Sequence, residues 1–171
     1  GCGVVISPLI ALMQDQVDAL AELGVRAAFL NSTQDFDETL RIERALRRGE
    51  LDLLYIAPER LMTPRCLELL DSARIALFAI DEAHCVSQWG HDFRPEYRRL
   101  REIMDMINEK VPVIALTATA TPKVQSDIVK NLDLHKPDIY ISSFNRPNLY
   151  YEVLPKIKKA QTDENIVRFI K

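Results

Sequence analysis

The sequence predicts an α/β domain built on a mostly parallel sheet. Short β-branched strands alternate with helical stretches, and near-continuous apolar runs occur at 75–80 and 113–116. Charged or hydroxyl-bearing residues follow those runs directly. Strands buried on both faces of a parallel sheet have that apolar texture, and alternation with helices supplies the crossovers that such a sheet needs.

Residues 4–7 are apolar and β-branched, and Pro8 closes them before Leu9, Leu12, Met13, Gln16, Val17, Leu20 and Leu23 recur at helical spacing. Gly24 then supplies the stop. Residues 26–30 read as a second strand, after which Ser32 or Thr33 is expected to cap an outer, highly charged helix over 35–48, with Leu40, Ala45 and Leu46 as its apolar stripe. A third strand covers 51–57, ended by Pro58, and a short helix over 61–70 is interrupted near Pro64. The run 75–80 is expected to be buried on both faces, 113–116 repeats it, and 139–141 is a shorter third instance. Between the central strands, 94–107 contains a helix with Leu100, Ile103, Met104 and Ile107 on one side. Thr121 and Pro122 stand at the cap and first turn of a helix over 123–132. Beyond Ser142 the texture changes: FNRPN at 144–148 reads as a connector, 149–154 is strand-like, and a last helix begins near Asp163.

The composition narrows the function. A chain of 171 residues, 47% hydrophobic and 27% charged, can bury one sizeable core. Its 22 basic and 25 acidic side chains leave a net charge of −3, so no overall basic field marks a nucleic-acid binder and any such contact must be local. Cys2, Cys66 and Cys85 are odd in number and widely spaced, which fits reduced thiols in an intracellular setting and argues against a disulfide framework or a zinc knuckle. No apolar run approaches the ~20 residues that span a bilayer, and the opening residues do not have the pattern of a signal peptide.

DEAH at 81–84 follows the apolar run directly. Ligands in open α/β sheets gather at the carboxyl ends of strands, where Asp81 could hold Mg²⁺ through water and Glu82 could polarise a water attacking a γ-phosphate. An arbitrary Asp-Glu pair can equally be a polar strand end. The absence of a second histidine at metalloprotease spacing, and of paired cysteines, counts against zinc at His84. ALTATAT at 115–121 can place the Thr117 and Thr119 hydroxyls beside those carboxylates, or can be an ordinary helix cap. CVSQWGHDFRPEY at 85–97 sets Trp89, Phe93 and Tyr97 among Gln88, His91, Asp92 and Arg94. Bases stack on aromatic faces and arginine meets phosphates, so this loop could grip single-stranded nucleic acid and report its presence to the neighbouring carboxylates. The same aromatics could instead pack under a structural loop. ISPLIAL at 6–12 and IAPERL at 56–61 are strand-to-helix junctions able to receive backbone phosphates, or plain proline-bounded turns.

Taken together, these segments resemble the RecQ-family ATP-dependent DNA helicases of the DExH group. ISPLIALMQDQV at 6–17, YIAPERL at 55–61, DEAH at 81–84, SQWGHDFRPEY at 87–97, ALTATAT at 115–121 and SSFNRPNLYY at 142–151 match that family's motifs in order. The resemblance implies a RecA-like three-layer domain of the P-loop NTPase type, with 1–141 as part of the first motor domain and 142–171 as the linker and beginning of the second. It implies ATP and Mg²⁺ as cofactors, 3′ to 5′ translocation on single-stranded DNA, and unwinding of duplex DNA. In that pattern Asp81 serves Mg²⁺ and Glu82 activates water. His84, Gln88, Trp89, His91, Phe93, Arg94, Thr117 and Thr119 couple DNA to hydrolysis, while Ser7, Pro8, Trp89, Phe93 and Arg94 lie along the DNA. A membrane partner is not expected; a single-stranded-DNA-binding protein is, through regions outside this chain. The compartment expected is the cytoplasm or nucleoid in a bacterium and the nucleus in a eukaryote.

The family's Walker A strand and glycine-rich loop have no counterpart in these 171 residues, and neither do its zinc-binding module and winged helix. The family pattern places the Walker A strand beside the DEAH strand, so a chain without it is expected to show an unpaired edge there and to be inactive by itself. The competing readings are a non-catalytic DNA-binding or partner-binding remnant of a helicase and, less in keeping with the 85–97 loop, an RNA helicase.

Overall fold

The computed structural model describes residues 1–107, 111–142, 147–150, 153 and 159–170. They divide into two compact units, 1–137 and 138–171. The first holds a five-stranded sheet of β1 (Cys2–Ile6), β2 (Ala27–Leu30), β3 (Leu53–Ile56), β4 (Ile75–Ile80) and β5 (Val113–Ala115). Every pairing is parallel and the order is β2-β3-β1-β4-β5.

Alternation along these strands sets the core. Val4, Ile6, Leu54, Ile56, Phe78 and Ile80 point to one face and are buried against Ile42, Leu46, Leu69, Leu70, Leu100 and Ile103 from the helices. Val5, Tyr55, Leu77 and Ala79 point to the other face and are only partly buried. The expectation that 75–80 and 113–116 are buried on both faces is therefore corrected. In β4 one face is sealed and the other half-covered, and β5 is an edge strand whose Ile114 remains 45% exposed. The expected open edge beside the DEAH strand is corrected too. β4 is flanked by β1 and β5, and the outer strands are β2 and β5.

Helix α1 (Ile10–Glu22) buries Met13 and Val17 and ends where Gly24 takes φ +77°, a left-handed conformation that glycine adopts without a Cβ clash. The cap of α2 (Phe36–Arg47) is Asp35, whose carboxylate accepts the Glu38 amide; Ser32 and Thr33 do not serve, and Thr33 is held instead by the Asn31 side chain. The buried stripe of α2 is Thr39, Ile42, Glu43 and Leu46, so Leu40 and Ala45 are peripheral. Glu43 is buried because Arg65 clasps it through two hydrogen bonds of 2.8 Å, with Arg60 at 3.6 Å.

The interrupted helix near Pro64 is two helices, α3 (Pro58–Leu61) and α4 (Pro64–Asp71). Proline forces Thr63 into an extended conformation and then opens the next helix, whose Cys66 amide the Thr63 hydroxyl caps. The helix expected over 94–107 likewise divides into α5 (Pro95–Arg98) and α6 (Leu100–Met106). α7 (Pro122–Asn131) is capped by Thr121 through the Val124 amide, as its sequence foretold.

In the second unit α8 spans Lys159–Ile170. Residues 139–141 form no strand: Ile139, Tyr140 and Ile141 are all exposed and pair with no described neighbour, and a strand exists only through such pairing. Of the connector 144–148, residues 144–146 lie outside the described residues and Pro147 and Asn148 form a turn. Leu149, Tyr150 and Val153 are exposed and not in a strand; Tyr151, Glu152 and Leu154 lie outside the described residues. No described helix is long and apolar enough to cross a membrane.

Candidate functional site at the carboxyl end of the sheet

The site forms where β1, β4 and β5 end side by side. The Asp81 amide bonds the Ile6 carbonyl and the Leu116 amide bonds the Ile80 carbonyl, which brings residues 7, 81–84 and 116–119 together. Buried Ser7 donates its hydroxyl to Asp81 Oδ2 at 3.2 Å, and Asp81 Oδ1 accepts the Glu82 amide at 2.9 Å. Each carboxylate oxygen thus has one fixed donor and lone pairs to spare, and Asp81 stays partly open to solvent. Ser7 faces this carboxylate and is 1% exposed, whereas Pro8, the next residue, is only partly buried.

Tyr97 supports the same turn from below. Its fully buried hydroxyl donates to the Asp81 carbonyl at 3.0 Å, and burial raises its phenol far above the ordinary range. Tyr97→Phe should lower stability by about 1–3 kcal/mol, because a buried carbonyl loses its donor. Urea unfolding should show a lower midpoint at unchanged slope; an unaltered midpoint would dismiss this bond as a support.

Glu82 takes φ +48°, ψ +43°. A non-glycine residue persists in this left-handed region only where its surroundings hold it. Here the Glu82 amide is taken by Asp81, its carbonyl by the Cys85 amide, and the Ala83 amide by the Leu116 carbonyl. The turn sends the side chain toward His84, whose Nδ1 lies 3.2 Å from Glu82 Oε2 and 2.9 Å from Thr117 Oγ1. Thr117 donates its proton to the Thr119 carbonyl at 3.2 Å and so presents a lone pair to the ring. Nδ1 therefore carries the proton and shares it between Glu82 and Thr117. His84 is 2% exposed, and burial, with the neighbouring His91, pushes its pKa below the ordinary value. It is a neutral donor at neutral pH.

His91, from the aromatic loop, stacks on His84 with centroids 4.0 Å apart and planes 24° from parallel, and its Nδ1 lies 3.4 Å from Thr119 Oγ1. Beyond it Trp89 projects outward, 65% exposed, with the Lys123 ammonium 3.1 Å from its ring centroid. Phe93 is partly buried with Arg98 5.2 Å from its ring centroid, and Gln88 is exposed. Arg94, expected to meet phosphate, has Nε and Nη2 each 3.0 Å from Asp92 Oδ2, so its charge is already partnered in this conformation. The three cysteines are buried, and burial pushes Cys2 and Cys85 up to about 11 and Cys66 up to about 12; none is a ready nucleophile.

The structure thus gathers Ser7, Asp81, Glu82, His84, His91, Thr117 and Thr119, and leaves Gln88 and Trp89 outside. Sequence reasoning missed Lys123 and Asp127. They had been read only as part of a helix, and the signal that could have singled them out is their spacing of four on one helical face.

Among the described residues no three His, Cys, Asp or Glu side chains converge on one metal position. A single, half-satisfied carboxylate at a strand end suits Mg²⁺, which keeps most of its water and takes one or two carboxylates. The residues present fit that ion at Asp81.

The DEAD/DEAH box helicase family matches residues 2–128. The chain belongs to that family. More particularly, it is 45% identical over 170 residues, 99% of its length, to the ATP-dependent DNA helicase RecQ of Pasteurella multocida, and 47% identical over 154 residues to that of Bacillus subtilis. The second alignment covers 90% of this chain, and the chain spans 26% of each relative. Among solved structures, the helicase Lhr of Mycobacterium smegmatis bound to ssDNA and AMP-PNP is similar in fold, with a TM-score of 0.56 at 20% identity over 75% of this chain and 18% of that one.

Proposed function

We propose that this chain is the hydrolytic and DNA-sensing segment of a RecQ-like, ATP-dependent DNA helicase, with 1–141 in the first motor domain and 142–171 leading into the second. The observation that carries the reading is the unbroken contact from the exposed Trp89 loop through the His91–His84 stack to Glu82. A structural loop has no need to rest on the one histidine that hydrogen-bonds the candidate base.

In this reading Asp81 holds Mg²⁺ through water. Bound with ATP, Mg²⁺ neutralises charge building up on the transferred phosphoryl group. Glu82 accepts a proton from the attacking water, and the shared His84 proton fixes which carboxylate oxygen is free to do so. A shift of His91 when Trp89 meets a base moves the His84 ring, redirects that proton between Glu82 and Thr117, and so turns the base toward or away from the water. Directional movement on single-stranded DNA, an intracellular setting and contact with a single-stranded-DNA-binding protein belong to the same reading of the whole enzyme.

The test is ATP hydrolysis by the full-length enzyme carrying this segment, with and without single-stranded DNA or RNA. Trp89→Ala should leave the basal rate within about twofold and raise the DNA concentration for half-maximal stimulation at least about fivefold, the low end of one lost base stack. Equal loss of basal and stimulated rates would remove the sensor role, and near-equal stimulation by RNA would overturn the DNA assignment.

A further inference from the structure

Helix α7 carries two side chains that the hydrolytic scheme does not use and that hold the Trp89 loop. Lys123 and Asp127 are four residues apart and share one helical face. Ser87, 0% exposed, donates its hydroxyl to Asp127 Oδ2 at 2.6 Å and accepts the Trp89 amide at 3.1 Å, so the root of the loop is tied to the helix. The Lys123 ammonium stands 3.1 Å from the Trp89 ring centroid, on the π-face of an indole otherwise open to solvent.

We propose that Lys123 is a displaceable cover on Trp89 and Asp127 the anchor of its loop, so that single-stranded DNA must take the indole face from Lys123 before a base can stack there. The inference rests on the reading of this loop as a DNA contact. An ammonium and a base compete for the same π-face. Release is favoured when the incoming ligand is a polyanion, because the freed ammonium is left beside phosphates. The anchor lets the tip of the loop change partner while its root stays on α7. α7 itself starts at Pro122, three residues beyond Thr119, whose hydroxyl lies 3.4 Å from His91. Both grips on the loop therefore come from the segment that begins at the hydrolytic site. Lys123 and Asp127 are positioning residues, acting on DNA affinity through Trp89.

Trp89 is the chain's single tryptophan, so its fluorescence reports this contact alone. The full 171-residue chain, its fold checked by circular dichroism, is titrated with acrylamide, a neutral quencher, with and without oligo(dT). In free protein, Lys123→Gln should raise the quenching constant about twofold by uncovering one of two ring faces, and Lys123→Arg should keep the wild-type value. With saturating oligo(dT), wild type and Lys123→Gln should converge, since a base then covers the ring in both. Equal quenching of the free proteins would overturn the cover, and a difference that persists with oligo(dT) bound would show that Lys123 is not displaced. An oligo(dT) that leaves wild-type Trp89 fluorescence unchanged at every concentration would instead overturn the DNA reading, and the cover with it.

Discussion

Glu82→Gln is expected to reduce DNA-stimulated ATP hydrolysis by the full-length enzyme about 10²–10⁴-fold, the usual contribution of a positioned general base. The substitution keeps shape and removes basicity. A glutamine carbonyl can still accept the His84 Nδ1 proton that Glu82 Oε2 meets at 3.2 Å, so the strained turn and the His91 stack should survive. Asp81 keeps both of its donors, Ser7 and the Glu82 amide, because neither depends on the altered carboxylate. Nucleotide and oligo(dT) affinities should therefore stay close to wild type while turnover is lost. A fall of less than tenfold would place the base elsewhere; lost nucleotide binding together with lost turnover would mean that Glu82 serves the metal.

The position of the two carboxylates was legible in the sequence. DEAH after an apolar run marks where the carboxylates emerge, because strand ends in a parallel sheet are where ligands collect. The strand positions were legible too, since β-branched runs bounded by proline are a local signal, and Thr121 before Pro122 named its own cap. What stayed hidden depends on groups far apart in the chain. Ser7 turning to Asp81 spans 74 positions, and only the pairing of β1 with β4 brings the two together; the sequence reads Ser7 simply as part of a strand-to-helix junction. Arg94 is the local exception: Asp92 is only two positions away, but the pair meets only in the loop conformation that the fold imposes, so the charge looked available for phosphate. Buried Glu43 in α2 was missed for a like reason: a charged residue reads as surface unless its partner, here Arg65 across 22 positions, is known. Residues 139–141 failed in the opposite direction. They have strand composition, but composition does not supply a neighbouring ladder.

Gly90→Ala is expected to uncouple the aromatic loop from the hydrolytic turn and to destabilise the fold at the same time. A Cβ at Gly90 would be driven into the His84 carbonyl oxygen, with the His84 carbonyl carbon and the Ser87 carbonyl oxygen each at 3.2 Å. All three are backbone atoms of the 3₁₀ turn Ala83–Val86 and of Ser87, which caps its C-terminal end, so no side chain can swing aside to make room. The loop also has little freedom to back away, since the Gly90 amide is bonded to the Ser87 carbonyl at 3.0 Å and Ser87 is tied to Asp127. Either the turn opens, moving His84 away from Glu82 and Thr117, or the loop tip lifts and His91 leaves its stack. Overpacking of this kind costs about 1–3 kcal/mol, which for a chain of this size is a fall of about 2–12 °C in Tm. Both ways of relieving the clash break the path from the aromatic loop through the His91–His84 stack to Glu82. Stimulation of hydrolysis by single-stranded DNA should therefore fall to near the basal rate even at temperatures where the variant is fully folded. Gln88→Ala, in an exposed side chain two positions away, should change stability by less than about 0.5 kcal/mol. A Gly90→Ala enzyme that stays folded and is stimulated as strongly as wild type would show that the signal from DNA does not pass through the His91–His84 stack.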